Sequence, residues 1–213
     1  MESASPLQAM KHVDIDLAER LSIQVTDNVR LVPIGSWILS DNHYVEDMAK
    51  WRFASRNSFF ARFPLSHESF RAYLMNHTIN NQRNLTFAIM RHQAELLGHM
   101  GLSEVEDSQA TIDAVMISPE ARSSGLARLS LEELIAWSAQ TLSVDQFKLE
   151  VLSSNVGAIR LYSQIGFEIL SQYPLRKVVE GNLTVLEECA LMDSNVEELK
   201  FVMSLRLTNS PVI

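Results

Sequence analysis

Thr111-Ile-Asp-Ala-Val-Met-Ile-Ser-Pro-Glu-Ala-Arg-Ser-Ser-Gly-Leu-Ala127 is the stretch around which the chain is organised. An apolar run ends at Ile117, and Pro119 then blocks further ladder pairing, because it has no N–H and a fixed φ. Arg122-Ser-Ser-Gly125-Leu-Ala127 leads straight into a helical pattern. A strand, a turn of small residues and a helix leave several backbone N–H groups unpaired, with the positive end of the helix dipole behind them. Such a place holds an anion, and a phosphate suits it best.

Upstream, Leu85–Met90, Leu96–Val105 and residues 110–117 are strand-like and joined by short polar turns, which predicts an antiparallel meander. Val29–Ile34 reads as a strand, Asp41–Phe53 as a helix capped by Asp41 or Asn42, and Ser66–His77 as a second helix with Phe70, Tyr73 and Leu74 on one face. His12–Val25 could form a short helix with Ile15, Leu17, Leu21 and Val25 partly buried. Downstream, Gly125–Thr141 is a helix and Phe147–Val151 a strand parallel to the one before it, since a long helix separates them. Asn155–Ile165 is a helix closed by Gly166, and residues 167–173 and 176–192 give two further strands or a long hairpin, with Glu180-Gly181-Asn182 as a turn. Residues 195–213 suit a strand by the period-two set Phe201, Met203, Leu205 and Leu207, and a helix by Val196, Leu199, Val202 and Met203. The expected division is an extension at 1–27, a domain at 28–193 and a tail at 194–213.

The 213 residues are 46% hydrophobic and 21% charged, the mix of a globular protein with a real core. No apolar run approaches the ~20 residues of a membrane span, and the first residues lack a signal-peptide pattern. The single cysteine, Cys189, forms no internal disulfide or metal cluster, and a reducing cytoplasm is expected. A net charge of −8 argues against a nucleic-acid-binding role and mildly favours a cationic, amine-bearing substrate. Neither a membrane nor a nucleic acid is an expected partner; a monomer or homodimer is.

Two segments belong together: Val115 to Ala127, and Asn155-Val-Gly-Ala-Ile-Arg-Leu-Tyr162-Ser-Gln-Ile-Gly166-Phe167. The sequence here resembles the GCN5-related N-acetyltransferase (GNAT) family. Arg122, Gly125 and Ala127 match its Q/R-x-x-G-x-G/A signature, and Asn155, Ala158, Leu161, Tyr162, Gly166 and Phe167 match its N-x-x-A-x-x-L-Y-x-x-x-G-F signature. In order and about 30 residues apart, the two are far more specific than either alone. Where the family often has glycine directly after the arginine, Ser123 and Ser124 stand.

The resemblance implies an α/β (α+β) fold: a mixed, mostly antiparallel central sheet of about seven strands, flanked by helices, with a splay between strands four and five that holds the pantetheine arm. Acetyl-CoA is the implied co-substrate, with no metal. Its contacts would come from Val115, Met116, Ile117, Arg122, Ser123, Ser124, Gly125, Leu126, Ala127, Arg128, Asn155 and Tyr162. The amides from Ser123 to Arg128 would cradle the pyrophosphate, with Arg122 or Arg128 adding charge. Tyr162 would protonate the leaving thiolate, a role that needs the neutral phenol. Base candidates are Asp113, Glu104 and His99; simple strand alternation puts Asp113 on the face of Val115 and Ile117.

Acceptor choice in the family lies in what correspond to residues 41–78 and 173–185, with Trp51, Arg52 and Phe60 as candidates here. Lys50-Trp-Arg52, Phe59-Phe60 and Ser66-His-Glu68 are similar to the nucleotide-linked amino-sugar branch. Residues 116–127 also look like the polyamine and ribosomal-protein branches. The expected activity is acetyl transfer to a primary amine by direct attack in a ternary complex, with amino sugar ahead of polyamine or peptide N-terminus. A non-catalytic acyl-CoA-binding sensor is the competing class.

Overall fold

The computed structural model describes residues 10–11, 13–62, 66–91 and 95–207. Phe63 and Pro64, the His92-Gln93 part of one expected turn, and residues 1–9, 12 and 208–213 of the expected extension and tail lie outside them. The chain divides into two compact units, Met1–Arg52 with Leu65–Val144, and Phe53–Pro64 with Asp145–Ile213.

In the first unit, strands β1 (Ile23–Thr26), β2 (Val29–Pro33), β4 (Leu85–Arg91), β5 (Glu95–Glu106) and β6 (Gln109–Ile117) pair antiparallel in that order. β4 is buried on both faces, as a central strand should be. Phe87, opposite Met100 of β5, meets Trp137 of helix α4 (Leu126–Leu142) edge to face at 5.5 Å. Leu131, Leu134 and Ile135 seal α4 against the unit's core, and Ser130 and Ser138, both fully buried, keep its inner face narrow. The other face of the sheet, where Ala88, His99 and Asp113 lie, is served by helices α2 (Asn42–Ala54) and α3 (His67–Tyr73). Asp41 caps the first turn of α2 by accepting from His43 N at 2.8 Å. Ser66 caps α3 in a reciprocal pair with Ser69. Beyond Tyr73 the helix widens into a π-helical stretch, Leu74–Ile79.

The amino-terminal reading needs correction. Helix α1 is only Ile15–Arg20, opened by Asp14, whose side chain accepts from Leu17 N. Ala18 is its buried residue, whereas Ile15, Leu17 and Leu21 are exposed. Val25 belongs to β1, because Ile23-Gln-Val-Thr26 alternates and pairs with β2. Further upstream, Lys11 is buried and donates from Nζ to the carbonyls of Thr78 (3.0 Å) and Asn81. An ammonium there answers the orphan carbonyls and negative dipole end that terminate a helix.

In the second unit the order is β7 (Gln146–Leu152), β10 (Val196–Arg206), β8 (Glu168–Glu180), β9 (Leu183–Glu188) and β3 (Ala61–Arg62), again antiparallel. Helix α5 (Val156–Ile165) ends at Gly166, whose φ of 110° is a left-handed cap. The carboxy-terminal ambiguity resolves to a strand. β10 inserts between β7 and β8 and pairs with β7 from Lys200 to Arg206, so residues set apart as a tail contribute an inner strand. Lys200 Nζ bonds Glu150 at 2.7 Å and Glu188 at 2.5 Å; burial opposes its charge, but the two carboxylates hold its pKa above the ordinary value. The described residues contain ten strands, against an expected seven or so; β1, β3 and β10 are the additions.

Candidate functional site

The sequence after β6 builds a turn with the properties of an anion cradle. Ser118 caps a short 3-10 turn, Pro119–Ala121, and Arg122 leaves it in an extended conformation. Ser123 and Gly125 are then both left-handed, at φ 62° and 80°. Glycine accepts that conformation at no steric cost, whereas serine pays for it. This explains why a glycine is common where Ser123 stands. A Cβ built on Gly125 would meet no protein atom within 4 Å, so the space in front of the loop is open.

The amides of Ser123, Ser124, Gly125 and Ala127 have no acceptor among the described residues. The expectation of a cradle running unbroken from Ser123 to Arg128 is narrowed by two internal bonds. Leu126 N donates to Ser124 Oγ at 3.3 Å, and Arg128 N donates to Gly125 O at 3.1 Å. Ser124 Oγ in turn donates to Ala121 O at 2.7 Å, which ties the turn to the 3-10 segment. The Arg128 side chain lies 3.7 Å from Glu132, so its charge is shared along α4, while Arg122 is exposed. Amides without an acceptor at a helix N-terminus, open space at Gly125 and the nearby Arg122 suit a pyrophosphate.

Val115, Met116 and Ile117 end the strand that enters this turn, with Met116 opposite His99 and Ile117 opposite Gly98. Ala114 is left-handed at φ 54°, and β6 carries one more residue than β5 between the pairs Gly101–Asp113 and His99–Met116. This bulge reverses the alternation after it. Asp113 therefore shares a face with Met116 and His99, and the expectation that it faces with Val115 and Ile117 is corrected.

On α5, Asn155 is the N-cap, its side chain accepting from Ala158 N at 3.4 Å. Tyr162 is 8% exposed and packs edge to face on Phe167 at 6.0 Å. The resemblance linked these residues through a ligand; the geometry of the unit adds that Tyr162 is held by its neighbours.

The base candidates separate. Glu104, exposed and at φ 51° near the β5–β6 turn, accepts from Thr111 Oγ1 at 3.3 Å. His99 and Asp113 lie on one face, and Arg52 of α2 and Tyr73 of α3 join them. The Arg52 guanidinium stands 5.9 Å from the Tyr73 ring centroid, and Tyr73 stacks with Phe70 at 5.8 Å and contacts the His77 ring at 4.8 Å. Burial pushes the His99 imidazole down to about 4 against an opposing backbone contact at Ala114, and Arg52 adds to the depression. Its Nδ1 is buried without a hydrogen-bond partner. Asp113 is exposed, with one oxygen accepting from Ala114 N at 2.6 Å.

Of the acceptor candidates, Arg52 joins this group. Trp51 is 8% exposed on the buried side of α2, and Phe60 packs on Leu152, Leu175 and Leu186 of the second unit. Tyr73 and His77 were not candidates in the sequence: a tyrosine on an apolar helix face carries no signal that an arginine from another helix will cover it.

A model of the acetyltransferase (GNAT) family matches residues 45–167, more than half of the chain, and the chain belongs to that family. No curated protein sequence matches it. Among solved structures it is similar to a spermidine N-acetyltransferase from Vibrio cholerae in complex with CoA and spermine. The identity is 17% and the TM-score 0.62, over 85% of this chain and 96% of that one. It is also similar to RimL, the ribosomal L7/L12 alpha-N-protein acetyltransferase, at 15% identity and a TM-score of 0.64, over 87% of this chain and 94% of that one. At these identities the likeness is one of fold: mixed α/β, mostly antiparallel strands, flanking helices. These neighbours act on a polyamine and on a protein, and neither extends the amino-sugar resemblance.

Proposed function

We propose that the protein is an acetyl-CoA-dependent N-acetyltransferase acting on a primary amine. The observation that carries this reading is the turn at Ser123–Ala127, where unpaired amides and two left-handed residues open a helix inside the segment matched by the family model. Acetyl-CoA supplies the activated acetyl group when bound. The amides of Ser123, Ser124, Gly125 and Ala127 would donate to its pyrophosphate, and Arg122 would add charge from solvent. Val115 to Ile117 would present backbone groups to the pantetheine arm, and Asn155 would serve it beside its capping role. Tyr162 would donate its phenolic proton to the departing thiolate.

The acceptor must lose a proton as it attacks. Asp113 is the base we assign: it is exposed, on the strand that enters the cradle, with a second oxygen beyond the one held by Ala114. His99 is neutral at physiological pH but buried, which sets it apart from the exposed Asp113. Amino sugars, polyamines and peptide N-termini all present the required amine, and the two structural neighbours raise the latter pair to equal standing with the first.

Replacing Tyr162 by Phe tests the chemistry. Its kcat should fall by about 10²–10⁴, the usual worth of a positioned proton donor, with CoA affinity changed less than threefold. Loss of CoA binding with kcat intact for the remaining complex would contradict the role.

A further inference from the structure

We propose that Lys11 is a positioning residue for the amine acceptor: its ammonium fastens the end of the π-helical stretch Leu74–Ile79, and through it the Tyr73–His77 ring pair on the acceptor side of the first unit. This rests on the acetyl-transfer reading, with Asp113 as the base, and concerns what holds the acceptor's surroundings in place. The π-helical stretch closes with a bond from Asn80 N to Met75 O at 2.8 Å, and the carbonyls after Met75 must find partners elsewhere. His77 O accepts from Asn84 Nδ2 at 3.1 Å, within the turn that follows. Thr78 O and Asn81 O both accept from Lys11 Nζ, which comes from 67 and 70 residues away in the chain. Lys11 is 1% exposed, and burial lowers its pKa to about 8, so the ammonium keeps its charge at neutral pH. A charged donor makes hydrogen bonds roughly twice as strong as a neutral one.

The backbone of the same residue is held independently. Lys11 O accepts from Ser36 N at 3.3 Å. It also passes so close to Gly35 that a Cβ built there would lie 2.5 Å from Lys11 O. Gly35 is extended, at φ −126°, so the lack of space and not the dihedral calls for glycine. It follows β2 and opens the 3-10 turn Ser36–Ser40, whose Trp37, Ile38 and Leu39 are buried. Lys11 therefore bridges a buried part of the unit to the end of an irregular helix. His77 lies one residue before Thr78, and its ring contacts the Tyr73 ring at 4.8 Å; Tyr73 stacks in turn on Phe70 at 5.8 Å. Tyr73 lies near enough to Asp113 to feel its charge. A π-helical turn spends more residues than an α-helical one, so a released end can tighten and carry His77 away from Tyr73.

Lys11→Met, which keeps the length of the side chain and removes its donors, tests this with spermidine, glucosamine and a short peptide as acceptors. The amine KM should rise about 3–30-fold, the usual range for coupling through packed elements, while kcat and the KM for acetyl-CoA change less than about threefold. A merely structural loss would lower the active fraction, and hence kcat, with both KM values unmoved. Lys11→Arg should recover part of the amine KM. Gly35→Ala, which displaces Lys11 by its backbone, should raise the amine KM as Lys11→Met does. Lys11→Gln, with a neutral donor, takes the place of Lys11→Met if that variant does not fold. Two-dimensional NMR of the folded proteins reads the position without turnover: in Lys11→Met the His77 ring protons should lose the shift that the Tyr73 ring imposes on them. A folded Lys11→Met protein with unchanged His77 signals, or with an unchanged amine KM, would overturn the proposal. Absence of turnover with every amine in the parent protein refutes the transfer reading instead, and the His77 signals still decide whether Lys11 positions the ring pair.

Discussion

Replacing Gly125 by Val separates ligand binding from folding. Gly125 is left-handed at φ 80°, and a side-chain-bearing residue there costs about 1–2 kcal/mol. The built Cβ meets no protein atom within 4 Å, so no clash is added. For a chain of this size each kcal/mol moves Tm by about 2–4 °C, and the variant should melt roughly 2–8 °C lower while folding normally. The isopropyl group would occupy the space in front of the amides of Ser123, Gly125 and Ala127. Losing two charge-assisted hydrogen bonds at about 1.5–3 kcal/mol each weakens CoA by roughly 10²–10⁴. Titration calorimetry with CoA, alongside thermal melts, reads both quantities. Ser123→Gly is the control of opposite sign: it relieves serine's left-handed φ of 62°, so it should raise Tm slightly and leave CoA affinity within threefold. A folded Gly125→Val protein that binds CoA as tightly as the parent would refute the cradle.

His99 predicts an acid-sensitive fold. Its imidazole is depressed to about 4, so the unfolded chain, with the ordinary value near 6.5, takes the proton more readily between those pH values. Stability should therefore fall by up to about 3 kcal/mol as pH drops from 6.5 to 4; urea titrations in which His99→Gln shows the same slope would contradict this. Lys11→Ala should destabilise the protein by about 1–3 kcal/mol through the two carbonyls it leaves unanswered at Thr78 and Asn81. CoA affinity should not change in that variant, and an unaltered urea midpoint would show that the latch contributes nothing.

What was legible in the sequence follows from how local its cause was. The Ser123–Ala127 turn and α5 are written in contiguous residues: Pro119 stops the strand, Gly125 starts one helix, and Asn155 and Gly166 bound the other. Residues 195–207 satisfied two periodicities, and only pairing with β7 and β8 decided for a strand. The bulge at Ala114 left no trace, because alanine is not a residue that announces a left-handed conformation. It nevertheless decides which face Asp113 takes. The Arg52–Tyr73 contact joins two helices across a long sequence separation, so no spacing rule reaches it. Phe60 shows the converse: a residue expected at the acceptor packs against Leu152, Leu175 and Leu186.

The most direct test of the central claim is the amine dependence of CoA release by the purified protein. It is followed with a thiol reagent, with mass spectrometry of the amine. The account predicts thiol release that requires both acetyl-CoA and an amine, matched one for one by an acetylated product and slowed by Tyr162→Phe. Tight CoA binding with no amine-dependent thiol release, across amino acids, amino sugars, peptides and polyamines, would contradict it and identify an acyl-CoA sensor instead.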